Sequence, residues 1–496
     1  MPPLGLLVFV TGTSSLGSEI AAARLLAPYF GDSTIVWANT IGVVLVALSI
    51  GYWLGGRLAD RNPTKEALCR LVLVAAALLA VVPLIAGPIL DVSISAFDSL
   101  SVGAFAGSLF GVLVLVAIPL VLVGAVSPWA IRLSLDDVGR SGEVTGRLYA
   151  ISTFGSLAGT FAASLLLIPL LGTQRTFLVF AILLALVAAA GLRRVYAVAP
   201  VVIAALLLIP PGVTKAASDD ARVVDERETT YQYARVLQED DGERRLELNE
   251  GQAVHSVYRA DTVLTGNYWD AFLVDPIAGL GRPPQDLAIL GDGAGTMVRA
   301  YGEYFPDTRI DAVEIDGQLT ELGRKWFGLR DRPGVRFITA DARPFLRRED
   351  DRRYDAIFVD AYHQPYVPFY LATEEFFALV KSRLKPGGVV LVNVGHPETS
   401  TALEDTLAAT MRTSFADVAS DPVEDVNTVL IGSDEPVTGA KLRSAAASLP
   451  PALRSLAQDT AGRIGPARRG GSIYTDDRAP VEWLIDKSIV QFAAGD

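Results

Sequence analysis

A glycine-rich turn and three acidic residues each follow a short apolar stretch in the second half of the chain. The turn is Gly291-Asp292-Gly293-Ala294-Gly295, and the acids are Glu314, Asp341 and Asp360. A glycine-rich turn lets the backbone approach a ligand closely, because no side chain intervenes. Glu314 stands 23 positions after Gly291, and an acid about 20 residues after such a turn can accept both hydroxyls of a ribose. These residue types therefore suit a nucleoside.

The other two acids suit the remaining parts of such a ligand. Asp341 follows the third apolar stretch and can contact an adenine edge, whereas Asp360 follows the fourth, where the reacting part of the ligand would lie. Each feature alone is weak, because a glycine-rich turn is often only a tight turn and a lone acid is often a helix cap. All four features at the ends of consecutive strands predict a nucleoside site.

Alternating strands and helices must position these residues. The predicted strands are Leu287–Leu290, Arg309–Ile315, Val335–Thr339, Tyr354–Val359 and Gly388–Val394, and the predicted helices between them are Thr296–Tyr304, Gln318–Phe327 and Phe376–Leu384. This alternation predicts a parallel sheet with helices on both faces, which is an α/β Rossmann-like fold of the S-adenosylmethionine-methyltransferase type. Ligands of such sheets bind at the carboxyl ends of the strands.

The flanking segments are shorter and less regular. Polar residues Val213–Asp225 predict a linker, and a hairpin of Tyr233–Gln238 and Arg245–Leu248 with a third strand at Ala253–Tyr258 predicts a small β subdomain. Val429–Gly432 predicts a late strand and Ser444–Gln458 a helix. The expected domains are residues 1–212, residues 213–283 and residues 284–496.

The first half of the chain is apolar and predicts a multi-span helical membrane domain. A membrane span needs about 20 mainly apolar residues. Seven segments approach this: Leu4–Ala27, Ser33–Gly56, Ala67–Leu90, Val102–Leu133, Gly146–Leu171, Thr176–Leu192 and Val195–Ile209. Small residues such as Gly155 and Gly159 permit close helix packing.

The basic residues of this half predict its orientation. They cluster in alternate loops, at Arg57–Arg70, Arg132–Arg147 and Arg193–Arg194, and the positive-inside rule places such loops in the cytosol. Seven spans would then leave the soluble domain outside the cell membrane. Because the expected nucleoside is made in the cytosol, we favour a last segment that does not span, which keeps the soluble domain cytoplasmic.

Charge and composition exclude some classes of site. Residues 1–212 carry a net charge of +2 and the remainder −14, out of −12 for the chain. The acidic half argues against nucleic acid as a partner, because phosphates need clustered Lys and Arg. The single cysteine, Cys69, excludes an intrachain disulfide, and the three histidines show no metal-ligand spacing. We expect no metal site.

The soluble half resembles the spermidine synthase family, in the membrane-fused form found in bacteria, over roughly Arg222–Gly395. The segments that carry the resemblance are Thr230-Tyr231-Gln232, Leu248-Asn249-Glu250-Gly251, Gly291–Gly295, Val313-Glu314-Ile315-Asp316, Ala340-Asp341-Ala342, Tyr354–Asp360 and Leu384-Lys385-Pro386-Gly387-Gly388. The family transfers an aminopropyl group from decarboxylated S-adenosylmethionine to an amine.

The resemblance implies a role for each matching residue. Glu314 would hold the ribose, with Gly291, Gly293 and Gly295 lining the nucleoside. Asp341 and Ala342 would contact the adenine, and Gln232, Tyr231 and Tyr268 would lie on the polyamine side. Asp360 would be catalytic, because an acid there can accept the proton that the attacking amine loses.

The sequence departs from the family pattern at three positions. Ala294 stands where the family's glycine motif has an aspartate, and Asp292 lies two residues earlier. After the fourth strand the family has Asp-x-x-Asp-Pro, but here His363 occupies the second aspartate's place. A neutral imidazole could serve as the base near neutral pH, or it could be an ordinary loop histidine. Trp269 replaces the family's histidine beside Tyr268. This tryptophan could stack on a ligand or simply pack against its neighbours.

Three functions stay open on this reasoning. The first is an aminopropyl or alkyl transferase that acts on a small cationic amine near the lipid bilayer. The second is a methyltransferase that uses S-adenosylmethionine itself. The third is a non-catalytic nucleoside or polyamine sensor, coupled to transport by the membrane half. We further expect a homo-oligomer.

Overall fold

The computed structural model describes residues 2–31, 34–97, 103–135, 137–209, 221–249, 251, 253–349, 353–362, 367–396, 400–481 and 484. The chain forms two compact units. The helical unit comprises Met1–Ala216 with Glu226–Tyr233, and the sheet unit comprises Ala217–Asp225 with Ala234–Asp496.

In each apolar segment predicted in the first half, most of the described residues are helical. The helices are α1 (Leu4–Phe30), α2 (Thr34–Arg61), α3 (Lys65–Phe97), α4 (Gly103–Val112), α5 (Ile118–Gly124), α6 (Val126–Ser134), α7 (Ser141–Ala162), α8 (Ile168–Leu171), α9 (Thr173–Ala189) and α10 (Val198–Leu206). Short π-helical turns at Leu113–Ala117 and Ala163–Leu167 join α4 to α5 and α7 to α8.

Five helical stretches of the described residues are long and apolar enough to cross a membrane. They are Leu4–Phe30, Val36–Arg61, Lys65–Ser93, Phe105–Ser134 and Ser141–Leu171. The last two apolar helices, Thr173–Ala189 and Arg194–Leu206, are shorter.

Small residues bring α1 and α7 into direct backbone contact. A Cβ added to Gly155 would lie 2.2 Å from the carbonyl oxygen of Phe9, and one added to Gly159 would lie 2.0 Å from that of Thr13. Only a residue without a side chain fits such a crossing, as expected for tightly packed apolar helices.

Twelve strands and eight helices follow among the described residues, and β1 runs from the sheet unit into the segment that groups with the helical unit. The strands are β1 (Ala221–Glu228), β2 (Tyr233–Glu239), β3 (Arg244–Leu248), β4 (Val254–Tyr258), β5 (Asp286–Leu290), β6 (Arg309–Glu314), β7 (Val335–Thr339), β8 (Tyr354–Val359), β9 (Leu384–Gly395), β10 (Asp417–Glu424), β11 (Asn427–Ser433) and β12 (Gly465–Pro466). The helices are α11 (Asp275–Leu280), α12 (Thr296–Tyr304), α13 (Gly317–Trp326), α14 (Ala342–Arg348), α15 (Glu374–Arg383), α16 (Ala402–Met411), α17 (Gly439–Ala445) and α18 (Pro451–Arg463).

The strands form two sheets. The smaller one has the order β1-β2-β3-β4, and the larger one has the order β12-β10-β11-β9-β8-β5-β6-β7. Strands β5 to β9 run parallel, whereas β11 pairs antiparallel with β9 and β10 pairs antiparallel with β11. This is the Rossmann-like arrangement of the methyltransferase type that the sequence predicts.

The core strands are apolar because helices cover both faces of the sheet. All five residues of β5 and all six of β8 are buried. Ile289 packs in a cluster with Phe272 and Tyr301 on one face, and Leu290 packs in a second cluster with Phe345 and Phe376 on the other. The buried core fixes where the loops at the strand ends can lie.

Two local predictions were wrong. The expected linker Val213–Asp225 already contains the start of β1, whose residues are mostly half-buried despite their charge. The expected single helix Ser444–Gln458 is two helices, because α17 ends at Ala445 and α18 begins at Pro451. A proline has no amide hydrogen to continue a helix but suits its first turn.

Candidate functional site

The carboxyl ends of three neighbouring strands lie in register. Leu290, the last residue of β5, pairs with Val313 of β6 and with Val359 of β8. The residue that follows each member of this row is a predicted site residue, namely Gly291, Glu314 and Asp360. Strand order changes direction on either side of β5, which is where open α/β sheets bind their ligands. The sheet therefore brings these three predicted residues together.

The glycine-rich turn has a backbone that side chains would not tolerate. Gly291, Gly293 and Gly295 have φ angles of 89°, 54° and 89°, in the left-handed region that favours glycine. A Cβ on Gly291 would also lie 2.4 Å from the carbonyl oxygen of Asp360. The turn therefore runs against the loop that carries the predicted catalytic acid.

The small sheet supports the other side of the same turn. The backbone N–H of Ala294 donates to the Ser256 hydroxyl of β4 at 2.8 Å, and that hydroxyl donates to the His255 carbonyl at 2.6 Å. Ala294 takes the place of the family's aspartate, and it is fully buried. This position therefore packs and does not present an acid to a ligand.

Glu314 is oriented by two backbone amides. Its Oε2 accepts from the N–H of Gly293 at 2.9 Å, and its Oε1 accepts from the N–H of Asp316 at 3.0 Å. Burial raises the pKa of this carboxyl to about 7, although these amide hydrogen bonds oppose the shift. Glu314 is therefore held at the glycine-rich turn, the position from which a carboxylate can reach a ribose.

Asp360 is half-buried and receives hydrogen bonds from three side chains. Its Oδ1 accepts from Asn393 Nδ2 at 2.8 Å, and its Oδ2 accepts from the Tyr268 hydroxyl at 3.1 Å and from Trp269 Nε1 at 3.3 Å. Burial raises the pKa of Asp360 to about 7, against the lowering effect of these donors. An acid in this state can exchange a proton near neutral pH.

A third acid, Asp292, lies beside these two. Its side chain is buried, and its Oδ1 has no hydrogen-bond partner among the described residues. Burial, together with the charges of Glu314 and Asp360, holds the pKa of Asp292 well above its usual value. The site thus concentrates three carboxyl groups, although the family's aspartate position holds Ala294.

Asp341 and Ala342 lie at the start of α14. Asp341 Oδ1 caps this helix by accepting from the N–H of Arg343 at 3.0 Å, and its Oδ2 accepts from the Tyr370 hydroxyl at 2.8 Å. Ala342 is buried. The capping role accounts for this aspartate on structural grounds, so its predicted contact with adenine stays a prediction.

The predicted substrate residues divide into two groups. Tyr268 joins the site through its hydrogen bond to Asp360, and its ring packs 4.4 Å from that of Trp269. Tyr231 and Gln232 belong to the segment that groups with the helical unit, where Tyr231 is exposed and the Gln232 N–H donates to the Thr229 hydroxyl at 3.0 Å. Their role on the polyamine side stays a prediction. His363 lies outside the described residues.

Sequence reasoning missed the second layer of the site. Asn393 orients Asp360 and in turn accepts from Asn427 Nδ2 at 2.9 Å, and its carbonyl accepts from the Tyr362 hydroxyl at 2.9 Å. A signal was available, because Asn393 is a single amide within the apolar run Val389–Val394. Trp269 was predicted either to stack on a ligand or to pack. In the structure it is buried and donates to Asp360, so it packs within the site.

The arrangement can bind a cation and take up a proton. The carboxyl groups of Asp292, Glu314 and Asp360 lie close enough to repel one another, and a positive ligand would stabilise their ionised forms. Glu314 and Asp360 each have a pKa of about 7, which is where a general base works well at neutral pH.

Comparison with known proteins agrees with this geometry. Residues 276–428 match the family profile "Spermine/spermidine synthase domain". A probable polyamine aminopropyl transferase of Bifidobacterium longum is 32% identical over 54% of this chain and 64% of its own length. The polyamine aminopropyltransferase 1 of Streptomyces coelicolor is 24% identical over 79% of this chain and 75% of its own length. A probable spermidine synthase from Corynebacterium glutamicum aligns in structure at 21% identity with a TM-score of 0.38, over 51% of this chain and 97% of its own.

The lengths of these matches define what is shared. The chain covers 64% of the Bifidobacterium protein, which is less than two thirds of it. The Streptomyces alignment covers 79% of this chain, and this is a larger share of the chain than residues 213–496 make up. Part of the helical half is therefore included in that similarity.

Proposed function

We propose that this chain, which carries a spermine/spermidine synthase domain over residues 276–428, is a membrane-anchored transferase that moves an aminopropyl group from decarboxylated S-adenosylmethionine to an amine. The observation that carries the proposal is the hydrogen-bonded Asp360 carboxyl, with its pKa of about 7, at the end of β8. It lies in register with the glycine-rich turn and with Glu314.

The reaction needs a base and a positioned donor. The lone pair of the amine attacks the aminopropyl carbon next to the sulfonium, a C–N bond forms, and the C–S bond breaks with its electrons moving to sulfur. The products are methylthioadenosine and the alkylated amine, which must lose one proton. Asp360 accepts this proton, and Tyr268, Trp269 and Asn393 keep its carboxylate oriented.

The charge of the site favours the decarboxylated donor over S-adenosylmethionine. The decarboxylated donor carries two positive charges, on sulfur and on nitrogen, whereas S-adenosylmethionine has an additional carboxylate. Burial raises the pKa of Asp292, and repulsion from Glu314 and Asp360 raises it further. A doubly cationic ligand relieves this repulsion, whereas the extra carboxylate of S-adenosylmethionine would add to it.

The exterior of the helical unit supports the membrane anchor. Large apolar side chains are exposed there, among them Leu45 at 59%, Phe154 at 68%, Leu165 at 62% and Val201 at 66%. So much exposed apolar surface is unfavourable in water and favourable in lipid. The helices that carry Leu45, Phe154 and Leu165 are also long enough to span a bilayer.

Contacts within the helical unit bear on its orientation. The Arg24 guanidinium donates to the carbonyl of Thr230, and the Thr173 hydroxyl donates to the Glu228 carboxylate. Arg24 lies near the end of α1 and Thr173 begins α9. Consecutive helices joined by short loops run in opposite directions, so their loops alternate between two faces. Segment Glu226–Tyr233 therefore lies on the face opposite the basic loops.

This arrangement differs from the one favoured on sequence grounds. If the basic loops are cytosolic, the chain has to cross the membrane again before Glu226, through the apolar helix Arg194–Leu206, which is shorter than the five candidate spans. We therefore propose an odd number of crossings before this segment, with Glu226–Tyr233 on the outer side.

The function is tested by product analysis on the full chain in detergent. The enzyme is incubated with decarboxylated S-adenosylmethionine and a panel of primary diamines and polyamines, and methylthioadenosine is measured by mass spectrometry. A parallel reaction with S-adenosylmethionine is assayed for S-adenosylhomocysteine.

Methylthioadenosine that forms only when an amine is present would support the proposal. S-adenosylhomocysteine as the sole product would replace it with a methyltransferase. Donor binding without either product would indicate a sensor.

A further inference from the structure

A cavity lies in the sheet unit, and one of its lining residues, Leu329, packs against Gly295 of the glycine-rich turn. It has a volume of 540 Å³ and is formed by the segment after β4, by one side of α12 and by the segment after α13. None of its lining residues is among the predicted catalytic, cofactor or substrate residues. Its volume falls within the range of small-molecule sites, about 300–1,000 Å³.

Arginines dominate the charge of this cavity. Its lining includes Arg259, Arg299, Arg330 and Arg332, against only two acids, Asp261 and Glu303. The Asp261 side chain is 77% exposed, and its ion pair with Arg259 is long, at 3.8 Å. Residues 213–496 carry a net charge of −14. The charge of this cavity is therefore opposite in sign to that of the region in which it lies.

Arg332 has donors that the described residues leave unsatisfied. Its Nη1 donates to the Pro306 carbonyl at 2.8 Å, but its Nε and Nη2 are buried without a hydrogen-bond partner among the described residues. The guanidinium lies against α12, with Nε 3.5 Å from where a Cβ of Gly302 would be. Buried cationic donors are normally paired, so the positive charge of this guanidinium is not neutralised by the contacts that it makes.

Arg299 and Tyr258 add a second wall. Arg299 Nη2 donates to the carbonyls of Arg259 at 2.9 Å and Thr262 at 2.8 Å, and its guanidinium lies 4.5 Å from the centre of the Tyr258 ring. Burial lowers the pKa of both Arg299 and Arg332, as expected for cations that lack an anionic partner. The wall is thus held rigid by the backbone and by an aromatic ring.

We propose that this cavity binds a small phosphate-bearing anion, with Arg332 as its principal ligand and Arg330 at its exposed rim. Arginine presents parallel N–H donors that match a phosphate, and Arg330 and Arg332 both line the cavity from the segment after α13. The phosphate comes either from a free metabolite or from a lipid headgroup, since both present the same oxygens.

The test is calorimetric titration of the full chain in neutral detergent. The probes are inorganic pyrophosphate for a free phosphate and dihexanoylphosphatidylglycerol for a headgroup. We expect saturable binding of at least one probe, weakened about tenfold or more by Arg332→Gln and to a smaller extent by Arg330→Gln. Arg469→Gln, which removes an exposed arginine outside the cavity, should leave binding within about twofold of the wild type.

Two further variants make the outcome specific to this cavity. Arg330 is exposed, so Arg330→Gln still tests the proposal if Arg332→Gln fails to fold. Glu314→Gln disturbs the donor site and should leave probe binding unchanged.

Binding of pyrophosphate alone assigns the site to a free metabolite, and displacement of pyrophosphate by the lipid assigns it to a headgroup. No binding of either probe, or equal loss in the Arg469 variant, would overturn the proposal.

Discussion

Asp360 is the residue whose removal should cost the most activity. Asp360→Asn keeps the shape of the side chain and its place beside Tyr268 and Asn393, but it cannot accept the proton of the attacking amine. General bases contribute about 10²- to 10⁴-fold, so we expect kcat for methylthioadenosine formation to fall at least about 100-fold. Affinity for methylthioadenosine should change little, because this product carries neither the aminopropyl group nor its charge.

Asp307→Asn is the matched control, because it removes an exposed acid outside the site. Its kcat should equal that of the wild type. Full activity in Asp360→Asn would show that another group, such as His363, accepts the proton.

Asn393 should act on the reaction through the pKa of Asp360. Burial raises that pKa to about 7, and the hydrogen bond from Asn393 lowers it. Asn393→Ala removes a lowering effect, so Asp360 would ionise only at higher pH. The acidic limb of the kcat–pH profile, expected near pH 7 in the wild type, should move upward, while the plateau at high pH falls much less than in Asp360→Asn. An unmoved limb with a lowered plateau would mean a purely structural role.

Asp292 should destabilise the folded chain at alkaline pH. Its folded pKa lies well above the ordinary 3.8, so the unfolded state loses its proton more readily. Stability therefore falls as the pH rises from about 4, and the loss is complete above the folded pKa. Asp292→Asn removes this loss and should raise the thermal midpoint of the protein at pH 8.

Thermal unfolding of the wild type and of the Asp292→Asn variant, from pH 4 to pH 8, measures this effect. The advantage of Asp292→Asn should shrink toward pH 4, where the carboxyl is neutral in both states. A variant that is less stable at pH 8 would show that the carboxylate is satisfied in the folded protein.

The site residues that lie at the ends of strands could be predicted from the sequence. Glu314 and Asp360 follow apolar strands, so their position is set by local pattern. Asn393 and Trp269 reach Asp360 from β9 and from the segment before α11, which are 33 and 91 positions away. Contacts over such separations depend on sheet order, and a single sequence does not specify sheet order.

At the scale of elements, the turn between β5 and α12 should be the least tolerant of substitution. Gly291→Ala places a Cβ at a φ of 89° and 2.4 Å from a carbonyl oxygen. The left-handed conformation alone costs about 1–2 kcal/mol, and the overlap forces the Asp360 loop to move. We expect the thermal midpoint to fall and affinity for methylthioadenosine to fall with it.

Gly462→Ala provides the comparison for that variant. This glycine lies near the end of α18, and an added Cβ would meet nothing within 4 Å. Alanine is favoured over glycine in helices by up to about 1 kcal/mol, so Gly462→Ala should be neutral or slightly stabilising. Equal behaviour of the two variants would contradict the tight packing at Gly291.

The parallel strands were predictable and β10 was not. Strands β5 to β8 are short apolar runs between helical segments, so pattern alone located them to within a residue or two. Strand β10 contains three acids and Pro422, with a register shift between Pro422 and Glu424. Charge and proline both argue against a strand, and pairing with β11 overrides them.

At the scale of the whole molecule, different sequence signals predict the helical unit and the sheet unit. The helical half has apolar residues on its outside as well as inside. Its helices are therefore predicted from the hydropathy of whole segments and not from an alternation of buried and exposed residues. All seven apolar segments were found from hydropathy, although only five reach spanning length among the described residues. The basic loops then supply the orientation, which the helices alone do not.

That orientation is measurable with single cysteines. Replacing Cys69, the only native cysteine, by alanine gives a background for Thr230→Cys and Asn62→Cys, both at exposed positions. Thr230 lies in the segment bonded to Arg24, whereas Asn62 lies in a basic loop. In intact spheroplasts, an impermeant maleimide should label Thr230→Cys and spare Asn62→Cys, and both should react after lysis.

The opposite labelling pattern would place segment Glu226–Tyr233 in the cytosol, where the nucleoside donor is made, and would mean that the basic loops violate the positive-inside rule. Labelling of both cysteines in intact spheroplasts would contradict the two-faced arrangement of the helical unit. If the expected pattern is found, the donor has to reach the outer side of the membrane before Asp360 can act on it. The helical half, which the Streptomyces relative shares in part, would then be the first place to look for the route.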